Sequence, residues 1–357
     1  MVSTLIPVGI DVSKATLHGA ILPPDRPKPY YQTFENTDDG YVAVQAWLVE
    51  HGVTQAHVCL EATSIYGHGV ATALHQQGHR VSIVNPVRVH GYAKSQLKRT
   101  KADRADATLI AQFCRDLKPN PWQPAAADIQ ALQDYTRRLD ALTEMLTQEK
   151  NRLAICPDAL KPGIERHITF MEEEIKALKK QVREPIKAHE RLQTQAELLI
   201  SIVGIGPDTA ARLLAELGDL SAFGSARQLA AYAGLTPQEH TSGTSVNGKT
   251  RLCKIGNARM RKALYFPAIA FLRCAPELQP WQDRLKAAGK TKMAIIGAAM
   301  HKLIRIVYGV LASGQKYDPA KLLPDPYTMG QLLLEMHSGQ KYDPAKLLPP
   351  KAPTANP

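Results

Sequence analysis

The period of apolar and polar positions changes repeatedly along the first hundred residues. Leu5–Ile10 is a short apolar run, and Ala15–Leu22 follows it after the polar break Asp11–Lys14, the pattern of a hairpin. Tyr30–Phe34 reads as a third strand, His57–Leu60 as a buried-type strand, and Val81–Val84 as a further one stopped by Asn85-Pro86. Between them, Tyr41–Val49 has helical periodicity and Ile65–Gln77 is a helix closed by Gly78. Asp103–Cys114 reads as a helix lying over the strands.

Three strands, then helix, strand, helix, strand is the order expected of an α/β RNase H-like sheet, here assigned to residues 1–118. Pro119–Pro124 reads as a linker. From Ile129 to about Leu199 the chain is charged, helical and nearly free of glycine, with a break around Cys156–Gly163. Leu132, Leu139, Leu142 and Leu146 share one face, as do Ile168, Met171, Ile175, Leu178 and Val182. Two such helices form a hairpin or a coiled-coil dimer arm, or else pack on their own domain; residues 119–197 are expected as linker and helical arm of a homo-oligomer, dimer or tetramer.

Residues 198–312 read as a mainly α-helical second domain. Leu198–Leu217 has the helix–GxG–helix form of a helix-hairpin-helix, with Gly204 and Gly206 at the turn. Ser225–Ala233 is a helix, Thr236–Lys249 a Gly- and Ser-rich loop, Thr250–Lys262 a basic segment and Met293–Leu311 a closing helix. Residues 313–357 form a Pro-rich surface tail in which the sequence of Ser313–Pro324 recurs at Ser338–Pro349. Two short copies cannot build a solenoid.

Charge narrows the partner. Lys and Arg number 44 against 33 Asp and Glu, a formal charge of +11, which favours a polyanion, nucleic acid before membrane. No stretch approaches the ~18 apolar residues needed to cross a bilayer, and Met1–Gly9 has neither the basic start nor the apolar run of a signal peptide. The five cysteines are widely spaced without a CxxC pair, which argues against a disulfide framework or a zinc knuckle and suits a reducing cytoplasm. The expected location is the bacterial cytoplasm, at the nucleoid.

Four carboxylates carry the candidate chemistry. Asp11 sits where the first strand ends, Glu61 ends the strand His57–Leu60, and Asp103 and Asp106 share a face of one helix. Gathering four acids costs several kcal/mol unless cations offset it. Magnesium suits hard oxygen donors, with manganese as its substitute, and a pair of ions activates the attacking oxygen and stabilises the leaving one in phosphodiester chemistry. The cations Lys94, Lys98, Arg99, Lys101 and Arg104, around the start of that helix, are suited to a phosphate backbone.

A second constellation follows the polar loop His240–Ser245, where Lys249, Arg251, Lys254, Arg259, Arg261 and Lys262 occur with no acid after Glu239. Such cations make a hydroxyl usable as a nucleophile on phosphorus. Spacing alone leaves Ser242, Thr244 and Ser245 open.

Several motifs together identify a family. GIDVSK around Asp11, EATSIYG around Glu61, NP at Asn85-Pro86 and KADRADA around Asp103 and Asp106 resemble the DEDD domain of insertion-sequence family one-hundred-and-ten transposases. IVGIGPDTAARLLAELGD, SARQLAAYAGLTP and SGTSVNGKTRLCKIGNARMRKALYFPA resemble that family's carboxy-terminal domain, so the likeness runs colinearly from Ile6 to Gly314. The resemblance implies a RuvC-like fold, magnesium, exchange of donor and target DNA strands, and a serine nucleophile, here Ser242 before Gly243. It also implies a structured non-coding RNA that bridges the two DNAs by base pairing. The duplicated tail departs from the family pattern.

Three other readings compete. A junction-resolving or RNase H-type nuclease uses the same carboxylates with water as nucleophile. An actin-like ATP-binding kinase has a first phosphate loop similar to GIDVSKATLHGAIL, but no second glycine-rich phosphate loop occurs in this chain. A non-catalytic nucleic-acid scaffold requires no metal.

Overall fold

A computed structural model describes residues 5–62, 66–96, 103–242 and 246–322, with side chains omitted at 239–250 and 321–322. The chain divides into two compact units, Met1–Ala125 and Ala126–Pro357.

The first unit holds a five-stranded mixed sheet. Strands β1 (Ile6–Val12), β2 (Thr16–Ile21), β3 (Tyr30–Glu35), β4 (Ala56–Glu61) and β5 (Arg80–Val84) lie in the order β3-β2-β1-β4-β5. β1 to β3 form an antiparallel meander through a tight turn closed by Ser13 and Thr16, while β4 and β5 join β1 in parallel. Parallel pairing needs crossovers, and helices α1 (Asp38–Glu50, capped by Thr37) and α2 (Gly67–Gln76) supply them. Alternation then sorts the side chains onto two faces. Val8, Ile10, Leu17, Val58, Leu60 and Val81 pack with Val44, Trp47, Val70 and Leu74 of the two helices.

The opposite face is covered by α4 (Asp103–Leu117), which follows α3 (Pro86–Ser95). Asn85-Pro86, expected only to stop a strand, also begins α3. Asn85 caps it by accepting from the Val87 amide at 2.9 Å, and Pro86 occupies its first turn, where a missing N–H costs nothing. Small residues seat α4 deeply, since Ala107 and Ala111 pack against Ala20. At Gly9 there is no room for a side chain, because a Cβ would lie 2.2 Å from the Ala107 carbonyl oxygen. Residues 119–124, expected as a linker, run along the sheet edge: the Trp122 amide donates to the Val81 carbonyl at 2.7 Å.

The second unit is mainly helical. Helices α5 (Ala127–Leu153), α6 (Lys161–Gln181), α7 (Arg183–Ala188), α8 (Glu190–Ile200) and α9 (Pro207–Leu217) precede α10 (Ala226–Tyr232), which Ser225 caps. Then come α11 (Ala258–Ala263), α12 (Tyr265–Cys274), α13 (Gln279–Ala287) and α14 (Lys292–Ser313). Leu132, Leu139 and Leu142 of α5 and Leu178 of α6 are part of the core built with α9, α12 and α14. Farther along, α5 and α6 are tied by Lys150 and Glu172 at 2.6 Å, with Met171 buried.

Two expectations are corrected here. The segment 236–249 is not a loop. Strands β6 (Pro237–Ser242) and β7 (Val246–Leu252) pair as an antiparallel hairpin, with an irregularity between Gln238 and His240. A backbone ladder needs no apolar alternation, so polarity concealed it. Helix α14 is long and apolar enough to cross a membrane, contrary to the expectation that no segment approaches that length. Half of it is buried, and Leu303, Ile304 and Val307 sit in the unit's core, so its composition is that of a core helix. The described part of the first tail repeat is mostly exposed, and Tyr317 anchors it: its hydroxyl donates to Glu277 at 2.9 Å and its amide to Ser201 Oγ at 2.9 Å. The second copy lies outside the described residues.

Candidate functional site

β1 and β4 are adjacent and parallel, so their last residues emerge at the same edge of the sheet, and Asp11 and Glu61 fall there on the α4 face. Gly9 lets α4 cross β1 at close range, which brings the helix's first turn, with Asp103 and Asp106, to the same edge. Asp11, Glu61 and Asp106 are half-buried, and Asp103 is exposed.

These acids feel one another. The Asp11 carboxyl is pushed above its ordinary value by burial first, then by Asp106 and Asp103, while His18 and the Val12 amide act in the opposite sense. Glu61 is raised by burial, then by Asp11 and Asp106. Among the described residues no lysine or arginine forms an ion pair with Asp11, Glu61 or Asp106. Half-buried carboxylates gathered at one edge without a cationic side chain are a hard-oxygen donor set fitted to a divalent cation. No three of them bring their oxygens within 4.8 Å of one another.

His18 escaped the reading from sequence. The turn at Ser13–Thr16 sets it directly across from Asp11 on β2, and its Nε2 lies 3.5 Å from Asp103 Oδ2. Its Nδ1 is 2.8 Å from the Tyr31 hydroxyl and 3.2 Å from Thr33 Oγ1, both on β3. A histidine held on one side and facing a carboxylate on the other fixes that carboxylate's direction. Counting strand positions outward from the turn would have found it.

The basic residues divide. Lys98, Arg99 and Lys101 lie outside the described residues, as do Thr244 and Ser245. Lys94 is exposed at the end of α3, and the Arg104 guanidinium lies 5.2 Å from the centre of the Tyr31 ring. Ser242 is the last residue of β6 and Lys249 lies within β7. Arg251 and Lys254 are exposed. Arg261 donates to the Ala233 carbonyl at 2.9 Å, Arg259 lies 3.9 Å from Glu216, and Lys262 is bonded to Glu144. At the expected helix-hairpin-helix turn, Gly204 has φ of +91° and approaches α12, where a Cβ would meet the Pro267 carbonyl oxygen at 2.6 Å. That glycine serves internal packing.

A five-stranded mixed sheet with acidic residues gathered at one edge, in a chain that continues into a mainly helical unit, is the arrangement for which sequence relatives supply the class. Residues 8–160 match the DEDD domain model described as transposase, and residues 196–282 match the transposase IS116/IS110/IS902 family. The chain is 33% identical over 315 residues to the pilin gene-inverting protein of Moraxella lacunata, covering 87% of this chain and 97% of that one. The Moraxella bovis protein of the same name gives the same figures. The transposase for insertion sequence element IS1328 of Yersinia enterocolitica is 28% identical over 284 residues, 70% of this chain and 82% of that one. The chain belongs to the IS110 family of transposases and recombinases, enzymes that cleave DNA and transfer its strands.

Proposed function

We propose that this recombinase exchanges DNA strands through a phosphoserine intermediate, with Asp11, Glu61, Asp103 and Asp106 as ligands of magnesium and Ser242 as nucleophile. The observation that carries the reading is that Asp11 and Glu61, gathered at one sheet edge, are both raised by burial and then by Asp106, with no paired lysine or arginine among the described residues. Magnesium or manganese bound there would activate the attacking oxygen and neutralise the leaving one. The chain's own part is to hold the acids at one sheet edge, with His18 orienting Asp103. The strand order supports a RuvC-like assignment of the first unit.

Exchange without a high-energy cofactor has to conserve the phosphodiester bond. Ser242 Oγ bonds to phosphorus, the P–O bond to one deoxyribose breaks, and that sugar oxygen takes up a proton. A sugar hydroxyl of the exchanged strand then attacks the phosphoserine and releases the serine. The Moraxella relatives are named for inverting a gene, an operation in which cut ends are rejoined, and this favours exchange over hydrolysis. Sequence choice would rest with a structured non-coding RNA pairing with donor and target DNA, the protein reading backbone and shape. Lys94, Arg104, Arg251 and Lys254 are the described exposed cations suited to that backbone. The outer part of the α5–α6 hairpin is suited to be the arm of a dimer or tetramer, and the site of action is the nucleoid.

Trapping with a nicked substrate tests the chemistry. Wild-type protein should form a DNA adduct that survives denaturation, with phosphate mapped to Ser242 by mass spectrometry. Ser242→Ala should bind DNA yet form none, while Ser245→Ala still does. Cut strands without an adduct would move the enzyme to water-using nuclease chemistry.

A further inference from the structure

The α4 face of the sheet carries a second group of donors beneath the carboxylates. Because side chains alternate along β4, Glu61 shares its face with Cys59 and His57, two and four residues earlier. Cys114 approaches the same place from α4, two helical turns beyond Asp106, or about 12 Å along the helix. The two sulfurs and a ring nitrogen of His57 all lie within 4.8 Å of one another. All three residues are buried, at 6% exposure for His57, 0% for Cys59 and 1% for Cys114.

The hydrogen bonds prepare the histidine as a ligand. Ser82 Oγ on β5 donates its single proton to the Asn120 carbonyl at 2.8 Å, with the Pro119 carbonyl at 3.2 Å. The 2.8 Å contact between Ser82 Oγ and His57 Nε2 therefore has the ring nitrogen as donor. That tautomer leaves Nδ1 with its lone pair. An imidazole whose other nitrogen donates to a fixed oxygen is the usual state of a metal-bound histidine, because that bond fixes the tautomer and the ring. The two thiols are also in hydrogen-bond contact with each other. Cys114 Sγ also contacts the His57 carbonyl at 3.2 Å, a bond that the thiolate would give up.

We propose that His57, Cys59 and Cys114 form a structural site for a thiophilic divalent cation of the zinc class, separate from the carboxylate site. Two thiolates and an imidazole are the donor set such ions prefer over magnesium. The bound ion would fasten β4, which ends in Glu61, to α4, which begins with Asp103, and so set the distance between the acids. Acquisition during folding explains how an ion reaches a place closed to solvent.

Full-length protein refolded with cobalt(II) tests this, because thiolate-to-cobalt charge transfer appears only with sulfur ligands and is silent for carboxylate-bound ions. The expected result is one sulfur-ligated equivalent per chain, a tetrahedral cobalt spectrum, displacement of that cobalt by zinc, and a higher melting temperature than the metal-free chain. A variant with Cys156, Cys253 and Cys274 all replaced by serine should keep the spectrum, and Cys114→Ala should lose it. Magnesium-dependent properties of Asp11→Asn protein are independent of this readout, so failure of the carboxylate reading leaves it standing. Folded wild-type protein that takes up no cobalt with sulfur character overturns the proposal. So does a reductant-sensitive mass loss of two hydrogens mapped to Cys59 and Cys114, which would make the pair a disulfide.

Discussion

At the sheet edge of the first unit, Asp11, Glu61 and Asp106 stand near one another and, among the described residues, have no lysine or arginine paired to them. Around α11 in the second unit, Arg259, Arg261 and Lys262 each engage a group of their own chain: Glu216, the Ala233 carbonyl and Glu144. Both clusters look alike as strings of charge. The difference lies in whether the fold has already answered the charge. A cation with an internal partner contributes to architecture, and its spare capacity for phosphate is reduced. Like charges held together without one raise the energy of the metal-free fold, and binding a counter-ion recovers it.

The largest expected effect removes the unanswered charge at its centre. Asp11→Asn or Asp106→Asn should take recombination below detection while folding and DNA binding persist, and a chelator should do the same to wild-type protein until magnesium or manganese is restored. Full recombination by Asp11→Asn would remove the cation site from the account.

A steric test comes next. At Gly9 a Cβ would meet the Ala107 carbonyl oxygen at 2.2 Å and the Ala111 nitrogen at 2.3 Å, both backbone atoms unable to step aside alone. Gly9→Val should displace α4, lower stability by about 1–3 kcal/mol in urea unfolding and reduce recombination along with it. Unchanged melting and activity would show that this approach does not position the acids.

The second unit supplies a graded contrast. Arg261→Ala should cost about 1–2 kcal/mol of stability, because the Ala233 carbonyl loses a charged donor. Arg251→Ala and Lys254→Gln should leave melting unchanged, and each should lower the salt dependence of DNA binding by about one unit of slope. Equal loss of DNA affinity across all three variants would abolish the distinction between answered and unanswered cations.

The smallest effect is the most diagnostic of charge crowding. Asp11 and Glu61 have folded pKa values above their ordinary 3.8 and 4.5, so the folded chain binds more protons between the ordinary and the raised values. Stability of metal-free protein is therefore lost as pH rises through that window and regained as pH falls back through it. Asp11→Asn should raise the metal-free melting temperature by about 2–4 °C at neutral pH and flatten this dependence. A lower melting temperature in that variant would mean that the carboxylate is stabilised by its surroundings.

The identity of the elements was readable in advance because local periodicity reports local conformation. The apolar runs Leu5–Ile10 and Ala15–Leu22, the helical spacing of Tyr41–Val49 and the helix read at Ser225–Ala233 correspond to strands and helices in the structure. The family motifs singled out the four carboxylates for the same reason, since each is tied to its own strand end or helix start. The β6–β7 hairpin was missed, because its ladder is made by backbone groups that polar residues satisfy as well as apolar ones.

What tertiary structure alone decided is who faces whom. The pairing of β1 with β4 rather than β5 set Asp11 beside Glu61, and the turn at Ser13–Thr16 set His18 across from Asp11. Gly9 gave no sign in sequence that it admits α4, and Cys59 and Cys114, separated by a whole crossover, gave none that their sulfurs meet. Period and capping are properties of a few consecutive residues. Register, close approach and charge pairing depend on elements distant in the chain, and the packing of the α4 face settles them only when the sheet closes against its helix.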